Sequence, residues 1–191
     1  MKKGLLGVFG LVVLAGCNQA ETEVVESTEI IDIEDIEIFA ESDQTNESIT
    51  EEEIKDSLKT YLDSSGDLHR ARFIYEVVLD SEEELDENEA EAYKKINLLL
   101  LENDLNFSAY ISANTLPDGY QDESEHISDY ITTLNQYLIE FDDTIYELID
   151  GEITIDNLKE LGSTPDIVNG KEQAKIEKFL EEKEIESSVF E

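Results

Sequence analysis

Carboxylates dominate the chemistry this sequence could perform. Forty-nine aspartates and glutamates stand against thirteen lysines and arginines, with two histidines and one cysteine. Calcium capture is the first activity such a composition suggests, because Ca²⁺ takes oxygen ligands from a loop of fixed spacing. Asp80, Glu82, Glu84, Asn88 and Glu91 fall at the first, third, fifth, ninth and twelfth positions of an EF-hand loop. The sixth position needs glycine for its sharp turn, and Leu85 stands there. Asp150-Gly151-Glu152-Ile153-Thr154 resembles the middle of such a loop, but its earlier ligand positions are Tyr146 and Leu148 and its closing acid is Asn157. Neither ligand set is complete, so no metal site is expected.

Catalytic constellations are equally incomplete. His69 and His126 form no H-E-x-x-H pair, and no glycine-rich phosphate loop occurs. His69, beside Arg70 and Arg72, reads as a surface residue, and Tyr93, Tyr110, Tyr130 and Tyr137 read as packing. Carboxylate pairs are too common here to mark an acid–base couple. No catalytic residue and no cofactor is assigned. Nucleic acid is excluded as a partner, because counterion release needs clustered lysine and arginine.

The one cysteine carries the most specific chemistry. Lys2 and Lys3 precede an apolar run from Leu5 to Leu14. As a helix that run rises only about 15 Å, half of what a membrane span requires. It reads as a signal-peptide core. It ends in Leu14-Ala15-Gly16-Cys17, which resembles the lipobox of bacterial lipoproteins. The resemblance implies removal of residues 1–16 and lipid on the Cys17 thiol, which would hold the chain on the outer face of a cell membrane. Two acyl chains satisfy the two-signal rule for stable anchoring. With no other cysteine, the rest of the chain must be stable through packing alone.

Loss of the leader removes two lysines and takes the net charge from −36 to −38. Such a surface is solvated and self-repelling, so a monomer held off the membrane is expected. Residues 17–48 read as the spacer that does this. Asn18 to Ser48 contains eleven acids and no base, and a coil of that length reaches about 30 Å. Low hydrophobicity and high charge predict disorder. Ile31-Asp32-Ile33-Glu34 and Ile36-Glu37-Ile38-Phe39 alternate as a strand would, leaving a short docking segment as the alternative.

Residues 49–191 must supply the fold. Two prolines, nine glycines and no tryptophan fit helices better than a turn-rich sandwich. Thr50 and Glu53 form a capping box ahead of Ile54, Leu58, Tyr61 and Leu62. Ser64-Ser65-Gly66 weakens that run, and Asp67 recaps a second helix to about Leu79. A polar turn follows from Asp80 to Glu87. From about Glu89 to Asn114, Tyr93, Ile96, Leu100, Asn103, Phe107 and Tyr110 recur at alternating spacings of three and four, a bundle seam. Leu98, Leu101 and Leu105 form a second stripe opposite, which predicts a central, sandwiched helix. Pro117-Asp118-Gly119 marks a turn. Ile127, Ile131, Leu134, Leu138, Phe141, Ile145 and Leu148 then carry a third long helix. Asp156 to Leu161 suggests a short helix. Asn169 caps a last one bearing Ile176, Phe179 and Leu180, whose Lys171, Lys175, Lys178 and Lys183 would dock it on an acidic body. The expected fold is all-α: an antiparallel up-down-up bundle of three long helices with a short C-terminal helix.

Asn103-Asp104-Leu105-Asn106-Phe107 matches the motif that names the NDxxF-motif lipoproteins of Gram-positive bacteria. Leu116-Pro117-Asp118-Gly119-Tyr120 and Ile127-Ser128-Asp129-Tyr130-Ile131 are also similar to that family, roughly over residues 50 to 185. The resemblance implies a surface lipoprotein without an assigned activity. Asn103, Asp104 and Phe107 are read as structural. Asn103 lies on the seam with its amide toward the core, and Asp104 lies at the flank, in reach of Tyr130 or a neighbouring amide. Two function classes remain: a surface module that meets an envelope polymer or protein, and an extracytoplasmic binder of a small ligand or cation.

Overall fold

A computed structural model of the protein describes residues 33–80, 85–150 and 164–190, and for residues 80 and 141–150 the backbone alone. Leu14, Ala15, Gly16 and Cys17, the spacer before Ile33 and the short helix expected at Asp156 to Leu161 lie outside the described residues. The described chain is all-helical: α1 Glu51–Asp80, α2 Glu87–Ala113, α3 Gln121–Asp150 and a shorter α4 Gly170–Glu182, after one 3₁₀ turn at Ile33–Asp35. Helix α2 packs against both α1 and α3, and α4 packs against α3. Side-chain pairs such as Tyr61 with Asp104 and Arg72 with Asn97 run α2 antiparallel to α1. His69 with Asn135 and Arg72 with Leu138 run α3 parallel to α1, giving the up-down-up order. No helix among the described residues is long and apolar enough to cross a membrane.

Capping chemistry sets the helix starts. Thr50 Oγ1 accepts from the Glu53 amide at 3.2 Å, and Glu53 accepts from the Thr50 amide at 2.8 Å. Helix α2 starts with a second capping box. Asp86 accepts from the amides of Asn88 and Glu89, and Glu89 accepts from the Asp86 amide. Asn169 caps α4 through the amides of Lys171 and Glu172. The turn into α3 closes with the Tyr120 amide on the Pro117 carbonyl at 3.1 Å, and Gly119 takes the positive φ of 80° that such a turn demands.

Four expectations are corrected. First, α1 does not break at Ser64-Ser65-Gly66. Ser64 Oγ turns back to the Thr60 carbonyl at 2.6 Å, and the backbone of Val189 packs over Gly66, where even a Cβ would make ordinary contact at 3.4 Å from its Cα. Asp67 pairs with Arg70 instead of capping a new helix.

Second, the acidic segment is not a free spacer up to Ser48. From Ile33 onward it lies along α1 and α2, with Phe39 and Ile49 buried in the core. The Asn46 and Ile49 amides bond to the carbonyls of Ala113 and Thr115, and the Thr115 amide bonds to Glu47. This arm forms only an isolated parallel bridge, Ser48 with Thr115, and no strand. The folded unit therefore includes residues 33–48 and does not start at residue 49.

Third, α2 buries one side only. Tyr93, Ile96, Leu100, Asn103, Phe107 and Tyr110 are all buried, as the seam predicts. Leu98, Leu101 and Leu105 are 57%, 36% and 69% exposed. Both described neighbours of α2 lie toward the seam, so its outer face meets no other helix among the described residues.

Fourth, the lysines of α4 do not fasten it to the body as a group. Lys175 pairs with Glu172 and Lys178 with Glu182, both inside α4. Apolar Ile176, Phe179 and Leu180 do the docking, and among the described residues only Lys183 of these lysines reaches across, its ammonium 4.4 Å from the Tyr120 ring centroid.

Candidate functional site

The seam of α2 brings three of the motif residues to one place. Asn103 is fully buried, and both ends of its amide are engaged. Its Oδ1 accepts from the Phe39 amide at 2.8 Å, and its Nδ2 donates to the Tyr61 carbonyl at 3.1 Å. Asn106, one turn along, donates to the Phe39 carbonyl at 2.9 Å. Phe39 is thus gripped by its own main chain, at N–H and C=O together. Asn114 repeats the device at the far end of α2, accepting from Glu47 N–H and donating to the Gln44 carbonyl. Phe107 supplies the apolar half of the seat. Its ring stacks on Tyr61 at 4.2 Å and meets the Phe39 edge at 5.3 Å.

Of the two partners expected for Asp104, it finds a neighbouring amide and not Tyr130. It is buried, with Oδ1 accepting from the Tyr61 hydroxyl at 2.7 Å and Oδ2 from Asn135 Nδ2 at 2.9 Å. Asn135 Oδ1 in turn lies 2.8 Å from His69 Nε2. Because Asn135 spends its NH₂ on Asp104, its oxygen must accept, so His69 carries its proton on Nε2. Burial pushes the Asp104 carboxyl up to about 6, although the Asn135 and Tyr61 hydrogen bonds oppose the rise. The Tyr61 phenol is raised well above its usual range, by burial first and then by the Asp104 charge. Burial, assisted by the Arg72 charge, lowers His69 to about 4, so the ring is neutral at physiological pH. His69 is therefore not the surface residue that its basic neighbours suggested.

Arg72 is buried as well. It is tied to Glu76 at 2.6 Å, to Asn97 Oδ1 at 3.0 Å and to the Leu138 carbonyl at 3.2 Å, and its guanidinium lies 5.4 Å from the Tyr93 ring centroid. Tyr93, Tyr110 and Tyr130 are core residues, as expected, and His126 lies 3.3 Å from Glu172 between α3 and α4. Sequence reasoning had not picked out Phe39, Tyr61, Asn106, Asn114 or Asn135 as partners. Asn135 had a usable signal, since it falls between Ile131 and Leu138 on the core-facing side of α3.

The cluster is closed. Two open grooves, of about 480 and 810 Å³, lie elsewhere, between α1 and the segment after α4, and acids and lysines line much of both. Among the described residues no group of three or more His, Cys, Asp or Glu side chains is placed to hold a metal. The Asp80 to Glu91 candidate lies partly outside the described residues, and its Asp86 is committed to capping α2. Most of the Asp150 to Thr154 candidate lies outside them too.

Fold and site together define an all-helical bundle with a polar network sealed across its three long helices. No model of a known family, no curated protein and no solved structure matches the chain.

Proposed function

We propose that this protein is a membrane-anchored extracytoplasmic lipoprotein whose helical bundle works as a surface interaction module. The address rests on Lys2-Lys3, the apolar run Leu5 to Leu14 and the Leu14-Ala15-Gly16-Cys17 sequence, with the resemblance to NDxxF-motif lipoproteins beside them. The observation that carries the interaction role is the outer face of α2. Leu98, Leu101 and Leu105 share one face by their spacing and stay exposed, and Lys94 and Lys95, also exposed, sit one turn ahead of Leu98. Already part-covered, the three adjacent leucines would together gain about 2–5 kcal/mol on full burial by a partner. The two lysines suit a partner with acidic groups beside its apolar surface. The grooves, open and largely charged, suit a small-molecule ligand less than an enclosed apolar cavity would.

Two measurements test this. Cys17→Ser should abolish palmitate labelling and leave unprocessed precursor; persistent labelling would refute the anchor. A Leu98→Asp/Leu105→Asp variant should melt as the wild type does, because both side chains are exposed, yet lose capture of the partner recovered from intact cells. Undiminished capture by that variant would refute the role given to α2.

A further inference from the structure

The sealed network has a property that neither its clasping role nor the membrane address requires. Asp104 is the one acid among the buried polar side chains of the described residues. Each of its oxygens holds one donor, and both donors are neutral: Tyr61 from α1 and Asn135 from α3. The other titratable groups around it do not offset its charge. His69 stands behind Asn135 and is neutral, and the guanidinium of Arg72 is turned to Glu76, Asn97 and the Leu138 carbonyl. From α3, Ser128 and Thr132 present hydroxyls to the Tyr61 phenol. The arm contributes main chain and Phe39, with no ionisable side chain at this point.

This arrangement can hold a proton without moving a heavy atom. When Asp104 is ionised, the Tyr61 hydroxyl donates to it. When Asp104 takes up a proton, that proton can donate to the Tyr61 oxygen, and the phenol can turn its own hydrogen to Thr132 or Ser128. Both states keep the short contact between Asp104 and Tyr61, with donor and acceptor exchanged, so the buried acid can titrate without losing that partner.

We propose that Asp104 is a reversible proton-uptake site that makes the folded bundle more stable as its surroundings turn acidic. The direction follows from linkage. Burial holds the folded group at about 6, whereas an unfolded aspartate titrates near 3.9. Between those values the folded state binds more protons than the unfolded one. The benefit is complete below about pH 4 and is lost as pH rises through about 6. A gap of about two units changes the unfolding constant by up to about a hundredfold. Paired surface carboxylates such as Glu53, held below its usual value by Thr50, pull the opposite way, so the comparison must isolate Asp104.

The test uses the full mature chain and does not depend on its lipid. The Asp104 side-chain carboxyl is followed by ¹³C NMR from pH 3 to 8, and the unfolding constant is measured by urea titration at pH 5 and pH 7.5. A titration midpoint near 6 is expected, with an upward move in Tyr61→Phe, which removes a donor to the ionised form. The wild type should gain stability over Asp104→Asn by about tenfold on going from pH 7.5 to 5. A midpoint below 4.5, or parallel pH profiles for wild type and Asp104→Asn, would overturn the proposal. If Asp104→Asn does not fold, the wild-type midpoint decides alone.

Discussion

Replacing Asn103 by alanine should unfasten the arm, and the structure indicates how large the effect is. The substitution removes the acceptor of the Phe39 amide and a donor to the Tyr61 carbonyl. The Tyr61 carbonyl lies inside α1, where the helix ladder still serves it, so its loss is the smaller one. The Phe39 amide has no such reserve, and a buried donor left unpaired costs about 1–3 kcal/mol. The arm has one escape, which is to lift Phe39 out and let water take the amide. The measured loss is therefore the smaller of two quantities, the unpaired donor or the docking energy of the arm. Urea titration should show a midpoint lower by roughly 1 M for a slope near 2 kcal/mol/M. Amide exchange at residues 36–49 should speed up while the core of α2 stays protected. From the seam pattern alone, Asn103→Leu would be neutral or stabilising. With Phe39 seated on the amide it is destabilising as well, because leucine leaves the same donor unpaired. Wild-type midpoints and unchanged exchange over 36–49 in both variants would refute the clasp.

Phe39→Ala removes the apolar anchor of the same arm from Phe107 and Tyr110, and should cost about 3 kcal/mol, limited again by release of the arm. Combined with Asn103→Ala it should add little, since both changes release one element; full additivity in a double-mutant cycle would contradict this. Glu184→Gly should stabilise the chain. Glu184 has φ 56° at the end of α4, where its amide bonds to Glu181 and that of Ile185 to Leu180, the pattern that favours glycine. Relief of the left-handed backbone is worth about 1 kcal/mol, and an unchanged or lower melting temperature would count against it.

The long helices were legible because their signals are local. Seam spacing marked the buried face of α2, and Thr50 and Asn169 marked two starts with the side chains that then cap them. Even the core-facing amide of Asn103 followed from its register. The arm was misread because its partners are remote: Phe39 finds Asn103 across 64 residues and Gln44 finds Asn114 across 70. Its acids argued for disorder, yet Glu34, Asp35, Glu37, Glu41, Asp43 and Glu47 all point to water. They describe the outer face of a docked segment and say nothing of the inner one. The alternation of Ile36, Ile38 and Phe39 carried the inner face, and composition outweighed it.

The leucines of α2 show the opposite failure. A second apolar stripe requires a second neighbour only if every apolar face is buried within the chain. Leu98, Leu101 and Leu105 break that assumption. The polar residues at core positions were the better guide. Asn103 and Asn135 sit where a bundle would place leucine, and each is satisfied at both ends of its amide by groups from other elements. An amide so placed fixes which carbonyl and which N–H must come to it. Hydrophobic burial alone would tolerate sliding of α1, α2 and α3 past one another. Tyr61 bonded to Asp104, and Asp104 to Asn135, permit only one register. Specification by that network, at some expense in stability, would account for burying an acid in a chain that has so many it could have left in water.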